Sequence, residues 1–155
     1  MITVRGGSAR QRMWVTSIVE FCVQKFMPRM SNLDISVHLK DLKGTAYGYC
    51  LALVEDGERA DRPRTFEIEV HKNMRLRKLL ETVAHTLVHV KQYARGDLYQ
   101  GVRIAKHRWQ GKWMSNNLSY WDTPWEIEAH GREAGLFVQW AEKERIGHLK
   151  WTLDD

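Results

Sequence analysis

Residues 84–92 read A-H-T-L-V-H-V-K-Q, within a segment from Arg75 to Arg95 whose apolar residues recur at helical spacing. Gly96 follows directly and is a typical helix stop. His85 and His89 are four positions apart, so on a helix both imidazoles project from one face, one turn apart. This spacing allows two ligands from one helix to bind the same tetrahedral metal ion. The sequence therefore predicts a helix over 75–95 that carries two candidate metal ligands.

The apolar residues of this helix predict which of its faces packs on the main core. They fall in one sector about 100° wide: Leu79, Leu80, Val83, Leu87 and Val90. His85, His89 and Gln92 fall on the opposite side. We therefore expect the two histidines to face another element of the fold rather than the main core.

A second segment, P-W-E-I-E-A-H-G-R-E at 124–133, offers a third ligand. Pro124 fits the first position of a helix that we predict over 124–145. Glu126, His130 and Glu133 share one face of it. Either Glu126 or His130 could complete a three-residue set with water as the fourth ligand. Whichever of Glu126 and His130 is not the ligand, or else Glu133, would then orient a histidine through the second nitrogen of its ring.

The remaining pattern predicts an α+β domain. A helix is expected over Arg10 to Met27, and three strand-like runs follow between residues 33 and 71. Tyr47 to Val54 is continuously apolar, as an inner strand would be, whereas Thr65 to His71 alternates with charged residues, as an edge strand would. We predict a three-stranded, mainly antiparallel sheet, with residues 1–155 forming a single domain because no linker or repeat divides the chain.

A basic segment with tryptophans separates the two candidate ligand helices. Residues Gly101 to Ser119 are expected to be irregular. Single-stranded nucleic acid is one candidate partner, because bases stack on aromatic rings while phosphates meet basic side chains. The alternative is a surface loop whose tryptophans cover the core or the cleft. The residues that would contact nucleic acid are Arg103, Lys106, Arg108, Trp109, Lys112 and Trp113.

Composition excludes several classes of protein. The chain of 155 residues is 43% hydrophobic and carries a net charge of +5, which is typical of a folded domain with a mild attraction to polyanions. No run of roughly 18 apolar residues is present, so no membrane span is expected. Cys22 and Cys50 stand far apart, which argues against a cysteine zinc knuckle and favours a reduced, cytoplasmic compartment.

Residues 84–92 resemble the active-site helix of zinc metallopeptidases, H-E-x-x-H, and residues 124–133 are similar to the downstream E-x-E-A helix of the glutamate-type zincins. The order of elements resembles the SprT-like minimal metallopeptidases, including short versions encoded by bacteriophages. The resemblance spans Phe66 to Trp140.

This resemblance implies a minimal zincin-like fold with one Zn²⁺ ion held by His85, His89 and Glu126. It implies peptide-bond hydrolysis by zinc-activated water as the activity of the family. An extended peptide or protein substrate would add to the predicted edge strand at 65–71. The resemblance further implies that the protein acts near DNA. For a phage-encoded chain it implies the host cytoplasm as the location.

The sequence departs from this family at Thr86, which occupies the position of the general-base glutamate. A threonine hydroxyl is not basic near neutral pH, so we expect a site that binds metal but hydrolyses peptides poorly or not at all. Three explanations are open: a natural pseudoenzyme, a deliberately inactivated variant, or another carboxylate acting in its place. Glu128 and Glu133 are the nearest carboxylates, and helix geometry points Glu128 away from Glu126.

Overall fold

The structure is a computed structural model that describes residues 1–44, 46–54, 57, 59–101 and 103–153. Its elements mix helices and strands, which confirms the α+β class. In chain order they are β1 (Ile2–Gly6), α1 (Ala9–Phe26), β2 (Asp34–Lys40), β3 (Gly48–Leu53), β4 (Thr65–His71), α2 (Leu76–Ala94), β5 (Leu98–Gln100), β6 (His107–Trp109), β7 (Lys112–Trp113), a 3₁₀ turn (Tyr120–Asp122), α3 (Pro124–Lys143) and α4 (Lys150–Leu153).

The main sheet differs from the prediction in strand number and direction. It has four strands in the order β1-β2-β4-β3, in which β1, β2 and β4 are parallel and only β3 is antiparallel. The prediction of three mainly antiparallel strands was wrong. Strand β1 is short, with little apolar pattern to reveal it, and α1 supplies the crossover that a parallel β1–β2 pair requires.

The prediction that residues 65–71 form an edge strand was also wrong. This strand, β4, lies between β2 and β3, and its charged residues Glu67 and Glu69 mark an uncovered face of the sheet rather than an uncovered edge. The edge beside α2 is β3, although its sequence had indicated an inner strand. A peptide could therefore add to β3 but not to β4.

Helix α2 is the centre of the fold, and fifteen of its 19 residues are buried. Its apolar sector packs into the core that α1 and the sheet share, as predicted, and its opposite face packs against α3. Helix α1 is capped by Ser8, whose side chain accepts a hydrogen bond from the Gln11 N–H in a reciprocal capping box. No helix among the described residues is long and apolar enough to cross a membrane.

The segment between α2 and α3 is more regular than expected. Strands β5, β6 and β7 form a small antiparallel sheet, with Leu98 opposite Trp109 and Arg108 opposite Trp113. The prediction that residues 101–119 are irregular was therefore wrong at β6 and β7, which are too short to show a two-residue repeat of apolar side chains.

Candidate metal centre

Three predicted ligands converge where α2 and α3 meet. The Nε2 atom of His89 lies 2.9 Å from Oε1 of Glu126, and the Nε2 atom of His85 lies 3.2 Å from Oε2 of the same carboxylate. The two Nε2 atoms are 3.1 Å apart. All three residues are buried, each with 9% of its surface exposed. His85, His89 and Glu126 therefore lie close enough to hold one metal ion.

The chemistry of these donors fits zinc. Two imidazole nitrogens and one carboxylate oxygen form a ligand set that zinc sites use when a fourth position is left for water or substrate. His85, His89 and Glu126 also line a cleft of about 820 Å³, so a molecule in the cleft could reach the centre of the triad.

Each histidine is oriented through its second ring nitrogen. Nδ1 of His85 lies 2.8 Å from Oε2 of Glu133, and Nδ1 of His89 lies 2.8 Å from Oε1 of Gln92. When the ring is neutral, as a metal ligand must be, an Nδ1–H that donates to these oxygens leaves Nε2 unprotonated and directed at the centre of the triad. The carboxylate of Glu133 therefore contacts the ring of His85, and the side-chain amide of Gln92 contacts the ring of His89.

Gln92 is itself fixed by α3. Its side-chain N–H₂ donates to the Trp125 carbonyl at 3.0 Å and to Oε1 of Glu128 at 2.9 Å. The other carboxylate oxygen of Glu128 accepts a hydrogen bond from the buried ammonium of Lys91. A chain of polar contacts thus runs from the ring of His89 to a buried ion pair between the helices.

The carboxylates change the protonation of the histidine between them. Burial disfavours the charged imidazolium of His85, but hydrogen bonds to Glu126 and Glu133 outweigh it and raise its pKa to about 9. Burial also opposes ionisation of Glu126, yet its bonds to His85 and His89 hold its pKa well below the usual range. Without metal, the triad therefore consists of an ionised carboxylate and a protonated His85 near neutral pH.

Tyr120 belongs to the site, although the sequence did not single it out. Its hydroxyl donates to Oε2 of Glu126 at 2.7 Å and lies 3.0 Å from Nε2 of His130. The residue is on the 3₁₀ turn that leads into α3. An aromatic residue shortly before a helix start was the only signal, and that signal is common at helix ends that have no functional role.

His130 lies at the border of the triad. Its Nε2 is 3.5 Å from Oε2 of Glu126, and its Nδ1 is 3.5 Å from Oε1 of Glu133. With His85 and Glu133 it forms a second group whose donor atoms are close enough to hold a metal ion. The two groups share His85, so either role that the sequence offered to His130, ligand or neighbour, fits its position.

Thr86 does not present its hydroxyl to the triad. The residue is 1% exposed, and its Oγ1 donates to the Val83 carbonyl of its own helix at 2.7 Å. It is absent from the described residues that line the cleft. Neither candidate replacement is free, since Glu133 is bonded to His85 while Glu128 is bonded to Lys91 and Gln92.

The main-chain edge of β3 lies along the cleft. The Tyr47 carbonyl accepts from the His71 N–H, so by strand alternation the odd-numbered residues of β3 pair with β4. The N–H and C=O groups of Gly48, Cys50 and Ala52 therefore point to the free edge. Tyr120, Trp121 and Trp125 line the same cleft.

Of the six residues predicted to contact nucleic acid, two pack against aromatic rings of the fold and four are exposed. Trp109 packs against Trp125 of α3, with ring centroids 6.3 Å apart, and therefore contributes to the packing of the fold. The Arg108 guanidinium lies 4.8 Å from the ring of Tyr99 and 5.8 Å from that of Trp113. The exposed members of the set are Arg103, Lys106, Lys112 and Trp113.

Comparisons of the chain with protein-family models, curated proteins and solved structures give no match. The functional interpretation therefore rests on the residues and geometry of the site.

Proposed function

We propose that this protein is a zinc-binding, metallopeptidase-like protein with a minimal zincin-type site in which peptide hydrolysis is impaired. The observation that carries the proposal is the convergence of His85, His89 and Glu126, two imidazole nitrogens and a carboxylate within 3.2 Å of one another at the base of a cleft. The orienting contacts from Glu133 and Gln92 support it, because a metal-ligating histidine usually donates its other ring N–H in this way.

An extended peptide is the substrate or ligand class that suits the cleft. The outward N–H and C=O groups of Gly48 and Cys50 line the cleft, and no described residue pairs with them, so a peptide can pair with this edge by strand addition. This replaces the strand at 65–71 as the peptide-binding edge. Tyr120 and Trp121 line the same cleft and would contact the bound peptide.

Impaired catalysis follows from the surroundings of Thr86. Bound zinc would polarise a carbonyl group and lower the pKa of a water molecule to about 7. Proton transfer to the leaving amine still requires a general acid or base, which typically contributes about 10²- to 10⁴-fold in rate. Thr86 bonds to its own helix, and the carboxylates of Glu128 and Glu133 are engaged elsewhere. The proposal therefore includes a pseudoenzyme or a slow enzyme.

The test of this proposal is a metal measurement. Purified protein should bind one equivalent of zinc, and His85→Gln and His89→Gln should each lose most of it, because each removes one of three donors. His148→Gln is a matched control, since His148 lies near the C-terminal end, outside the cleft. Binding below about 0.2 equivalents, or an unchanged zinc content in His85→Gln, would contradict the proposal.

A second candidate function is binding of single-stranded nucleic acid at β5–β7. The observation that favours it is the stack of Arg108 on Tyr99 and Trp113, next to the exposed Lys112. An oligonucleotide should then bind with an affinity that falls as salt rises and that drops on Trp113→Ala. Trp121→Ala provides the control, because Trp121 is exposed but lies on the 3₁₀ turn before α3, outside β5–β7.

A further inference from the structure

Lys78 is a cation in the cleft that the proposed zinc site does not use. It is half-buried on α2, and among the described residues that line the cleft it is the only lysine or arginine. Its Nζ lies 5.4 Å from the ring centroid of Tyr47, at the start of the β3 edge. No described carboxylate lies within 4.0 Å of this ammonium.

Neither acidic residue of the cleft forms an ion pair with Lys78, although its ammonium interacts electrostatically with Glu133. Glu126 is bonded to His85 and His89, and Glu133 is bonded to His85. Both carboxylates therefore already form close polar contacts with histidine side chains. An anionic group of a bound molecule could pair with Lys78 without displacing any contact of the triad.

The position of Lys78 along α2 sets the distance between such an anion and the triad. Seven residues separate Lys78 from His85, a rise of about 10 Å. Thr82 lies on the same face between them, and a Cβ atom built on Gly48 would be 3.1 Å from its methyl group. The β3 edge therefore begins beside Lys78 and runs toward the triad.

An extended peptide covers about 10 Å with three residues. A peptide paired with the β3 edge and reaching the triad with one carbonyl would place a group three residues away beside Lys78. We propose that the cleft selects peptides with a carboxylate at this position, supplied by the C-terminus or by an acidic side chain, and that Lys78 is the residue that determines this specificity. This inference rests on the proposed function.

The experiment uses zinc-loaded full-length protein and pairs of hydroxamate probes. A succinyl hydroxamate extended by leucine and alanine places its terminal group about 10 Å from the hydroxamate, three residue lengths away. One pair ends in a free carboxylate or a carboxamide. A second pair carries glutamate or glutamine in place of alanine, with an amidated end, so that the two sources of the carboxylate are distinguished. Affinities are measured by fluorescence competition or calorimetry.

We expect the acidic member of at least one pair to bind about fivefold more tightly than its neutral partner. Lys78→Met should remove this preference while the affinity for the neutral probe and the zinc content stay unchanged. Lys25→Met is the matched control, because Lys25 is exposed on α1 outside the cleft, and it should keep the preference.

The outcomes separate the two proposals. Protein without zinc would overturn the proposed function itself. Zinc-loaded protein that binds acidic and neutral probes equally would overturn only the assignment of Lys78. An acidic preference that persists in Lys78→Met would overturn it as well, because the charge of the metal would then account for the preference.

Discussion

The side chain at position 86 is short, buried and bonded to its own helix, so it places no carboxylate at the general-base position that follows the first histidine. Glutamate in place of Thr86 would add a carboxylate one residue after a metal ligand, as in the H-E-x-x-H helix. We expect Thr86→Glu to raise zinc-dependent hydrolysis of an unstructured protein substrate by about 10²- to 10⁴-fold. The measurement is the initial cleavage rate, with and without a chelator.

Thr86→Gln is the control for this substitution, because glutamine has nearly the same shape but does not accept a proton near neutral pH. Its rate should remain that of the unaltered protein. Zinc content and melting temperature are measured for both variants, since a larger side chain at a position that is 1% exposed strains the packing. A folded, zinc-loaded Thr86→Glu protein without added activity would argue against a peptidase-type cleft.

His85 should make the metal-free protein sensitive to pH. Its pKa is raised to about 9 when folded, against about 6.5 when unfolded, so its contribution to stability is complete below pH 6.5 and disappears as the pH rises through 9. We expect the melting temperature of metal-free protein to fall over this window relative to His85→Gln. Zinc affinity should rise over the same window by about tenfold per pH unit, because zinc displaces this proton.

Thermal melts at several pH values, in the presence of a chelator, measure the first effect, and zinc titrations measure the second. If metal-free protein and His85→Gln showed the same pH profile, the imidazolium between Glu126 and Glu133 would be excluded. A zinc affinity that is independent of pH from 6.5 to 9 would exclude it as well.

The sequence predicted those residues of the candidate site whose relative positions depend only on local helix geometry. The spacing of His85 and His89 places both on one face of any helix, and Glu126 shares a face with Glu133 for the same reason. Tyr120 was not predicted, because its contact with Glu126 depends on how the 3₁₀ turn folds back over α3. The anchoring of Gln92 by Glu128 likewise depends on how the two helices pack.

Among the elements, β3 and β4 show why sheet order was not predictable. Alternation of Phe66 and Ile68 with glutamates indicates that one face of β4 is buried, but a central and an edge strand can have the same alternation. Strand β3 has a continuously apolar sequence, yet Tyr49 and Leu51 are exposed on an edge strand. Pairing partners are set by the whole sheet. The local pattern therefore predicted β3 and β4 as strands but did not predict which strands lie beside them.

The α2–α3 pair is held by a polar contact as well as by apolar packing. Glu128 bonds to Lys91 and Gln92, and the side chain of Lys91 is only 8% exposed. Glu128→Gln would leave a buried ammonium without its countercharge, so we expect a loss of about 1–3 kcal/mol in the free energy of unfolding. Weaker zinc binding should accompany it, because Gln92 would lose one of its two anchors on α3. Denaturant unfolding and zinc titration measure the two effects.

The control for this substitution is Glu142→Gln, which lies on the same helix but is exposed. It should leave both the free energy of unfolding and the zinc affinity close to those of the unaltered protein. Loss of stability without loss of zinc affinity would indicate that Gln92 keeps His89 in place without Glu128.

For the whole molecule, the proposed metal site joins parts of the chain that only the complete fold brings together. His85 and Glu126 are about 40 residues apart in sequence, with the β5–β7 sheet between them. An unfolded chain holds no such site, so zinc binding favours the folded state by mass action. The fold has its own apolar core, which extends from α1 through the sheet to α2 and part of α3. We therefore infer that metal adds to the stability of a structure that already folds without it.

This leads to a prediction for the melting temperature. A free zinc concentration 100 times the dissociation constant stabilises the folded state by about 2.7 kcal/mol, which for a domain of this size corresponds to a rise of about 5–10 °C. His89→Gln should melt at nearly the same temperature with and without zinc, because one of the three donors is gone. Calorimetry of chelated and zinc-loaded protein measures both. If chelated protein were unfolded at 25 °C, the apolar core would be insufficient and the metal would be required for folding; if zinc moved the transition equally in His89→Gln, zinc would be bound elsewhere.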